Sequence, residues 1–393
     1  MKRALTILML LSLPLAGGAP LRAENNGRAA GYTPVSYYGE NNLVDYHQAG
    51  PLMRKLSQST LAFFPARSLP YDEAAGVYRL SNTSLRDRYN LKPETPFADQ
   101  TVGAYCSGAL VGEDLVLTAG HCFKPHTRGM DCARIKLVFG YAVTQRGETP
   151  SAFPAGDVYS CKEVVMQVVQ DKRHNFVCRG GSCSNSPLIG EGVDYALVRL
   201  DRAVTGRPPL AVSRRQVSLN AKVGVIGYPS GMPVKVQEEG AAVRSLTDKG
   251  YFVANLDTFS GNSGSPVFNM GTMKIEGVLV RGGADYIHQS STGARVEDSG
   301  TPYAHLPGEA NFYPQDGGRG EDVTYITEME ALIPQTEMER YIDAAIRQRA
   351  QQGNQGQPKP VPAIYTPGQN GGYQVQPAIY NVPEPSAPEP IMI

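Results

Sequence analysis

The sequence predicts an all-β fold, and three observations carry the prediction: many short apolar runs divided by turns, abundant glycine and proline, and one segment with helical spacing. There are 42 glycines and 30 prolines in 393 residues, and no tryptophan. The apolar runs fall at 102–111, 115–118, 135–143, 163–170, 196–200, 222–228, 235–246, 251–255, 275–280 and 323–326. Runs of this length and spacing suit barrels or sandwiches. The single helix is expected over about 335–349, with Pro334 near its first turn and Met338, Tyr341, Ile342 and Ile346 on one face, packed on the β-structure.

With 41% hydrophobic residues, the chain has enough apolar surface for at least one large core. Lys plus Arg and Asp plus Glu both number 37, so no net field draws the protein to nucleic acid or to an anionic membrane. At the N-terminus, Lys2 and Arg3 precede an apolar run over 4–15 that ends in Ala16, Gly17, Gly18 and Ala19. This pattern predicts a signal peptide within residues 1–23, cut after Ala19 or Ala23. The run is shorter than the ~20 apolar residues of a spanning helix, and no later run approaches that length, so no integral membrane segment is expected. Export to the periplasm or the outside places the six cysteines in an oxidising setting, where disulfides are the default.

Residues 24–79 are rich in Gly, Pro, Asn and Tyr without a sustained period, and read as a pro-segment or N-terminal extension ahead of a β-rich domain over 80–350. Two long loops interrupt that domain, at 123–192 with its embedded strands and at 283–322. Beyond residue 350 the composition turns to Pro, Gln, Gly and Tyr, with Pro362-Ala363-Ile364-Tyr365 repeated as Pro377-Ala378-Ile379-Tyr380. A disordered tail is expected over 351–393.

Three local motifs carry the chemistry. Leu117-Thr118-Ala119-Gly120-His121-Cys122 ends a strand in small residues that deliver a histidine, with Cys122 placed to bond Cys106, 16 residues earlier. Val193-Asp194-Tyr195-Ala196-Leu197-Val198 puts an acid at the start of an apolar strand. Gly261-Asn262-Ser263-Gly264-Ser265-Pro266 is a tight turn that presents a serine. Each alone is commonplace: a core histidine, a turn-capping acid, a Gly-Ser turn. Together, in the order His, Asp, Ser, they supply a base, its orienting carboxylate and a nucleophile. An ester hydrolase of the Gly-x-Ser-x-Gly type would need a glycine at Ser265 and its acid and histidine after the serine.

With these motifs the chain resembles the chymotrypsin-like serine peptidases, and within them the bacterial glutamyl endopeptidase group. Further points of resemblance are Arg86-Asp87-Arg88 followed by Pro96-Phe97, Gly227-Tyr228-Pro229, and the continuation Ser265-Pro266-Val267-Phe268-Asn269. The resemblance covers about 80–350. It implies two six-stranded antiparallel β-barrels with a C-terminal helix, and a triad of His121 and Asp194 from the first barrel and Ser263 from the second. It also implies an oxyanion hole made by the N–H groups of Gly261 and Ser263, and no metal or organic cofactor. Polypeptide substrates and a monomeric state are expected.

The family's bridge beside the histidine implies Cys106–Cys122. Cys132 with Cys161 and Cys178 with Cys183 are the simplest remaining pairs, against a zinc site at His174, Cys178 and Cys183 that lacks an obvious fourth ligand. Where trypsin-type enzymes carry an Asp that pairs with a newly cut N-terminus, this chain has Asn262, so activation through that pair is not expected. Cleavage near Arg79 would instead mark the start of the mature domain.

For substrate preference the residues point two ways. Asp257, followed by Thr258, lies six residues before Ser263, the offset at which trypsin-like enzymes place a pocket acid for Lys or Arg. Leu279 stands where glutamyl enzymes carry a histidine, and Arg281 either draws an acidic side chain or neutralises Asp257. Substrate backbone is expected to add as a strand along Val280, Arg281 and Gly282. The alternative to an enzyme is an inactive homologue that uses the scaffold for binding. Labelling by a fluorophosphonate separates the two.

Overall fold

The computed structural model describes residues 37–352 except 124–131, 172–173, 181, 186–189, 290–294 and 299–305, together with 364–367 and 373–376. The signal-peptide reading lies outside these residues.

Twelve strands close into two barrels. The first contains β1 (Thr60–Pro65), β2 (Cys106–Leu110), β3 (Leu115–Thr118), β4 (Ile135–Phe139), β5 (Val158–Gln170) and β6 (Asp194–Leu200). They pair antiparallel in the order β5-β6-β3-β2-β1-β4, and β4 returns to β5 to close the ring. The second contains β7 (Lys222–Gly227), β8 (Lys235–Leu246), β9 (Tyr251–Ala254), β10 (Pro266–Asn269), β11 (Ile275–Arg281) and β12 (Glu321–Tyr325). Their order is β7-β10-β11-β12-β9-β8, closed by β7 against β8. Closure satisfies every strand edge within the ring, which an open sheet cannot do. These are the two six-stranded antiparallel barrels expected from the sequence.

Ten of these strands lie where apolar runs predicted them, and the two that do not are informative. β10 continues directly from the serine motif. β1 lies inside the 24–79 stretch expected as an extension, so the boundary at residue 80 is corrected. Leu61, Ala62, Phe63 and Phe64 are fully buried, and β1 pairs with β2 on one side and β4 on the other. Without it, both neighbours would present unpaired edges and the first barrel would stand open.

The Phe63 ring meets Tyr105 and Phe123 edge-on at centroid distances of 6.3 Å and 5.9 Å. Truncation there leaves a void that close-packed strands cannot fill, so Phe63→Ala is expected to destabilise the fold by about 3–5 kcal/mol. Urea unfolding of the variant and the parent measures the difference.

Residues 37–45 also belong to the fold. Val44–Asp45 pairs with β8, and Tyr37–Tyr38 runs parallel to Phe312–Tyr313 of the 283–322 segment. Tyr37, Leu43, Leu85, Tyr89, Phe259 and Tyr286 bury one another in a separate apolar cluster. The long loop after β5 carries a hairpin, Asn175–Arg179 with Ser182–Asn185. The C-terminal helix runs Glu337–Gln352, slightly later than expected. The Thr336 hydroxyl caps it by accepting from Glu339 N–H at 3.0 Å, and buried Glu339 receives the Arg214 guanidinium at 2.8 Å. Ile342 faces inward as predicted, whereas Ile346 is exposed.

In the tail, Ile364–Pro367 and Tyr373–Gln376 form an antiparallel ribbon where no regular structure was expected, their Tyr, Thr and Val residues favouring strand. Among the described residues no helix is long and apolar enough to cross a membrane.

Candidate active site

His121 sits in a single 3₁₀ turn, Gly120–Cys122, at the end of β3. Buried Gln167 on β5 donates from Nε2 to the carbonyls of Gly120 and Phe123, each at 2.8 Å, and so fixes the turn from below. The Cys106–Cys122 disulfide ties its far side to β2. A Cβ at Gly120 would strike the Val168 carbonyl, so glycine is what lets the turn lie flat on β5.

Asp194 opens β6 as expected and is almost wholly buried. Its Oδ2 accepts from His121 Nδ1 at 2.8 Å and its Oδ1 from the His121 backbone N–H at 3.1 Å. Thr324 on β12 anchors Asp194 in turn, donating its hydroxyl to the Asp194 carbonyl at 2.9 Å and accepting from its N–H at 3.2 Å. Burial disfavours the charged imidazole, but the charge and hydrogen bond of Asp194 outweigh burial and hold the His121 pKa above its usual 6.5.

Ser263 lies on the turn before β10, where Gly261 and Gly264 adopt φ of +97° and +91°. Such angles favour glycine, and a Cβ at Gly264 would also collide with the Ser107 carbonyl and the Thr118 hydroxyl. The turn is pinned to the first barrel: Ser107 N–H donates to the Ser263 carbonyl at 2.8 Å, and the Ser107 hydroxyl donates to the Gly261 carbonyl at 2.7 Å. Cys122 Sγ approaches the same Ser263 carbonyl at 3.7 Å, so the histidine corner abuts the serine turn. The N–H groups of Gly261 and Ser263 donate to nothing among the described residues, while those of Asn262, Gly264 and Ser265 are all bonded. Two free donors beside a serine hydroxyl can hold a developing oxyanion.

All three expected disulfides are present: Cys106–Cys122, Cys132–Cys161 and Cys178–Cys183. Cys178 and Cys183 therefore have no thiolates to offer zinc beside His174. The ligand atoms of Cys106, His121 and Cys122 lie within 4.8 Å of one another, but their two sulfurs share a bond, leaving the imidazole as the one ordinary metal donor.

Next to Ser263 opens a cavity of about 470 Å³. Thr258, Leu279, Val280, Arg281 and Gly282, the substrate-binding candidates named from the sequence, line it. Asp257 does not, and its reading as the pocket acid is corrected. It is fully buried, and its carboxylate accepts the backbone N–H groups of Tyr38 and Asn42, each at 2.9 Å. Burial, partly offset by these two donors, lifts its pKa to about 6. Asp257 thus fastens the N-terminal segment to the second barrel and is closed to a substrate side chain. Nor does Arg281 neutralise it: the Arg281 guanidinium pairs with Asp322 at 3.0 Å and donates to the Gly192 carbonyl at 2.8 Å.

Beyond Leu279, β11 has β12 on one flank, and its other flank, over residues 280–282, follows the cavity. Sequence reasoning missed Glu321, Asp285, Glu191 and Arg319 in the cavity wall, and Thr324 behind Asp194. One signal was available, since Glu321-Asp322 opens an apolar strand just as Asp194 does. The others come from segments with no periodic pattern.

The family model described as trypsin-like peptidase domain matches residues 106–278, a stretch that includes His121, Asp194 and Ser263. Among curated proteins, the chain is 24% identical over 170 residues to a glutamyl endopeptidase of Bacillus licheniformis, a match covering 43% of this chain and 46% of that one. The chain thus spans about half the length of that relative. Similar solved structures include a Glu endopeptidase in complex with MPD (14% identity, TM-score 0.36, covering 70% of this chain and 92% of that one). Another is neuropsin, a serine protease of mouse brain (14% identity, TM-score 0.41, 73% and 96%).

Proposed function

We propose that the trypsin-like peptidase domain of this chain works as a secreted serine endopeptidase, with Ser263 as nucleophile, His121 as general base and Asp194 as the carboxylate that orients it. The observation that carries this reading is the hydrogen bond from His121 Nδ1 to buried Asp194, set at 2.8 Å in a corner that abuts a serine turn with two unused N–H donors.

In this mechanism, substrate backbone adds along Val280–Gly282 and brings its scissile carbonyl to Ser263. His121 takes the hydroxyl proton as Oγ attacks, and the tetrahedral oxyanion forms against the N–H groups of Gly261 and Ser263. The imidazolium then gives its proton to the leaving amine, and the acyl-enzyme is released when water repeats the sequence. Asp194 fixes the tautomer that leaves Nε2 free to accept, and stabilises the imidazolium by charge. Every step uses this chain's own residues. The three disulfides and the apolar N-terminal run support export, where thiols oxidise.

The working base is the neutral imidazole, so kcat/KM falls as pH drops through the His121 pKa. Because Asp194 holds that pKa above 6.5, the acid limb of the profile is expected on the high side of an ordinary histidine. Asp194→Asn removes the attraction and leaves burial, so the acid limb moves to lower pH while kcat falls about 10⁴-fold. A pH profile of kcat/KM for parent and variant checks both, and an unmoved limb with a small rate loss contradicts the assigned roles.

A further inference from the structure

Resting on the endopeptidase reading, we propose that Glu321 selects the substrate side chain on the acyl side of the cut bond, and that this side chain is cationic, a lysine or an arginine.

Glu321 opens β12 and lines the cavity that Ser263 also lines. Its side chain lies beneath Gly282, since a Cβ added to that glycine would run into the Glu321 carboxylate. Any larger residue at 282 would therefore close the approach to it. The carboxylate is held by neutral donors: the Thr258 hydroxyl at 2.6 Å, the Tyr38 hydroxyl at 3.1 Å and Gly283 N–H at 3.3 Å. A carboxylate offers about four lone-pair sites, so these three donors leave room for one from a ligand.

The charge balance of the wall favours a cation. Arg281 and Arg319 also line the cavity, but both pair with buried Asp322, at 3.0 Å and 2.6 Å, and Arg319 reaches Glu191 at 3.5 Å as well. Glu321 has no Lys or Arg at ion-pair distance among the described residues, and it is 5% exposed. A desolvated carboxylate lacking a counter-ion is held mostly in its neutral form. In this case burial, with a smaller push from neighbouring Asp285, lifts the pKa to about 8, against the hydrogen bonds of Thr258, Gly283 and Tyr38. A lysine or arginine side chain entering beside Ser263 supplies the missing charge. A glutamate side chain would set a third carboxylate against Glu321 and Asp285 while both arginines are already engaged. At about 470 Å³ the cavity falls in the size range of ligand pockets and admits a long side chain.

The support behind Glu321 explains the buried acid at 257. Asp257 binds the backbone N–H of Tyr38, and the Tyr38 hydroxyl reaches Glu321, so Asp257 is a positioning residue one step removed.

The test uses the full-length secreted protein and matched peptides with Arg, Lys, citrulline, Leu or Glu before the cut bond. Arg and Lys are expected to exceed citrulline, Leu and Glu in kcat/KM by about 10²-fold, the scale of a desolvated charge pair. Glu321→Gln is expected to lose that advantage and leave citrulline within a few-fold. The Arg-to-citrulline ratio in the parent cancels the titration of His121. It is expected to rise from about pH 6 to about pH 9 as Glu321 ionises, with Tyr38, Thr258, Asp285 and Arg319 as the polar groups around it. This ratio decides the matter even if the variant folds poorly. A preference for Glu, a ratio near one, or an Arg preference that survives Glu321→Gln overturns the assignment. Labelling of Ser263 by a fluorophosphonate in the same samples distinguishes the failures. Labelled protein without a basic preference overturns the role of Glu321 alone, and folded protein that resists label overturns the endopeptidase reading beneath it.

Discussion

Ser263→Ala is expected to lower kcat on a peptide substrate by about 10⁵- to 10⁶-fold, measured by product release under saturating substrate. In the proposed mechanism the effect is this large because the hydroxyl oxygen is the atom that bonds to the acyl group. Without it, His121 has no proton to take, and Asp194 orients a base with nothing to activate. What remains is the rate acceleration of binding and of the oxyanion donors at Gly261 and Ser263, whose backbone N–H groups survive the substitution. Folding should be unaffected, since the Ser263 side chain makes no hydrogen bond among the described residues and the turn is held by backbone carbonyls at Gly261 and Ser263. An unchanged unfolding midpoint together with this rate loss is the expected pair of results. Retained turnover would remove the nucleophile from the proposal.

A chain that begins at Leu80 is expected to lose its folded state altogether. Deletion removes β1, which closes the first barrel between β2 and β4 and buries Leu61, Ala62, Phe63 and Phe64. It also removes Asp45, which meets the fully buried Lys235 ammonium at 2.8 Å. Burial already pushes the Lys235 pKa down to about 8 against the pull of Asp45. Loss of one partner of a buried pair costs about 3–5 kcal/mol, comparable to the 5–15 kcal/mol that holds a typical domain together. Circular dichroism and urea titration of the truncated chain should therefore show no cooperative transition. A folded, active 80–393 fragment would restore the boundary that the sequence suggested. On the present account, any processing compatible with the fold ends before Tyr37.

The contrast between β1 and the other strands shows why part of the fold was legible in sequence. Runs such as Leu115–Thr118 stand between clear turns and beside motifs, so periodicity alone finds them. Thr60–Pro65 is just as apolar, but it lies in a stretch rich in Gly, Pro, Asn and Tyr, and its role depends on pairing with strands more than 40 residues away. No local pattern encodes that closure.

The candidate site divides in the same way. His121, Asp194 and Ser263 are set by local backbone: a turn, a strand start, and a glycine-framed loop. Asp257 was misread because sequence offset says nothing about which side of a strand another segment covers, and here Tyr38 and Asn42 arrive from more than 200 residues away to cover it. Glu321 was overlooked for the converse reason, as its importance comes from the cavity that three separate segments build around it.

Reaction of the purified protein with a fluorophosphonate, mapped by mass spectrometry to the modified residue, tests the central claim most directly. The probe needs a serine made nucleophilic by a base and an oxyanion site to receive its oxygen, which is the set of features ascribed to Ser263, His121, Gly261 and the Ser263 N–H. One label per chain on Ser263 is expected, suppressed in His121→Ala. Folded protein that takes no label, or takes it elsewhere, would contradict it.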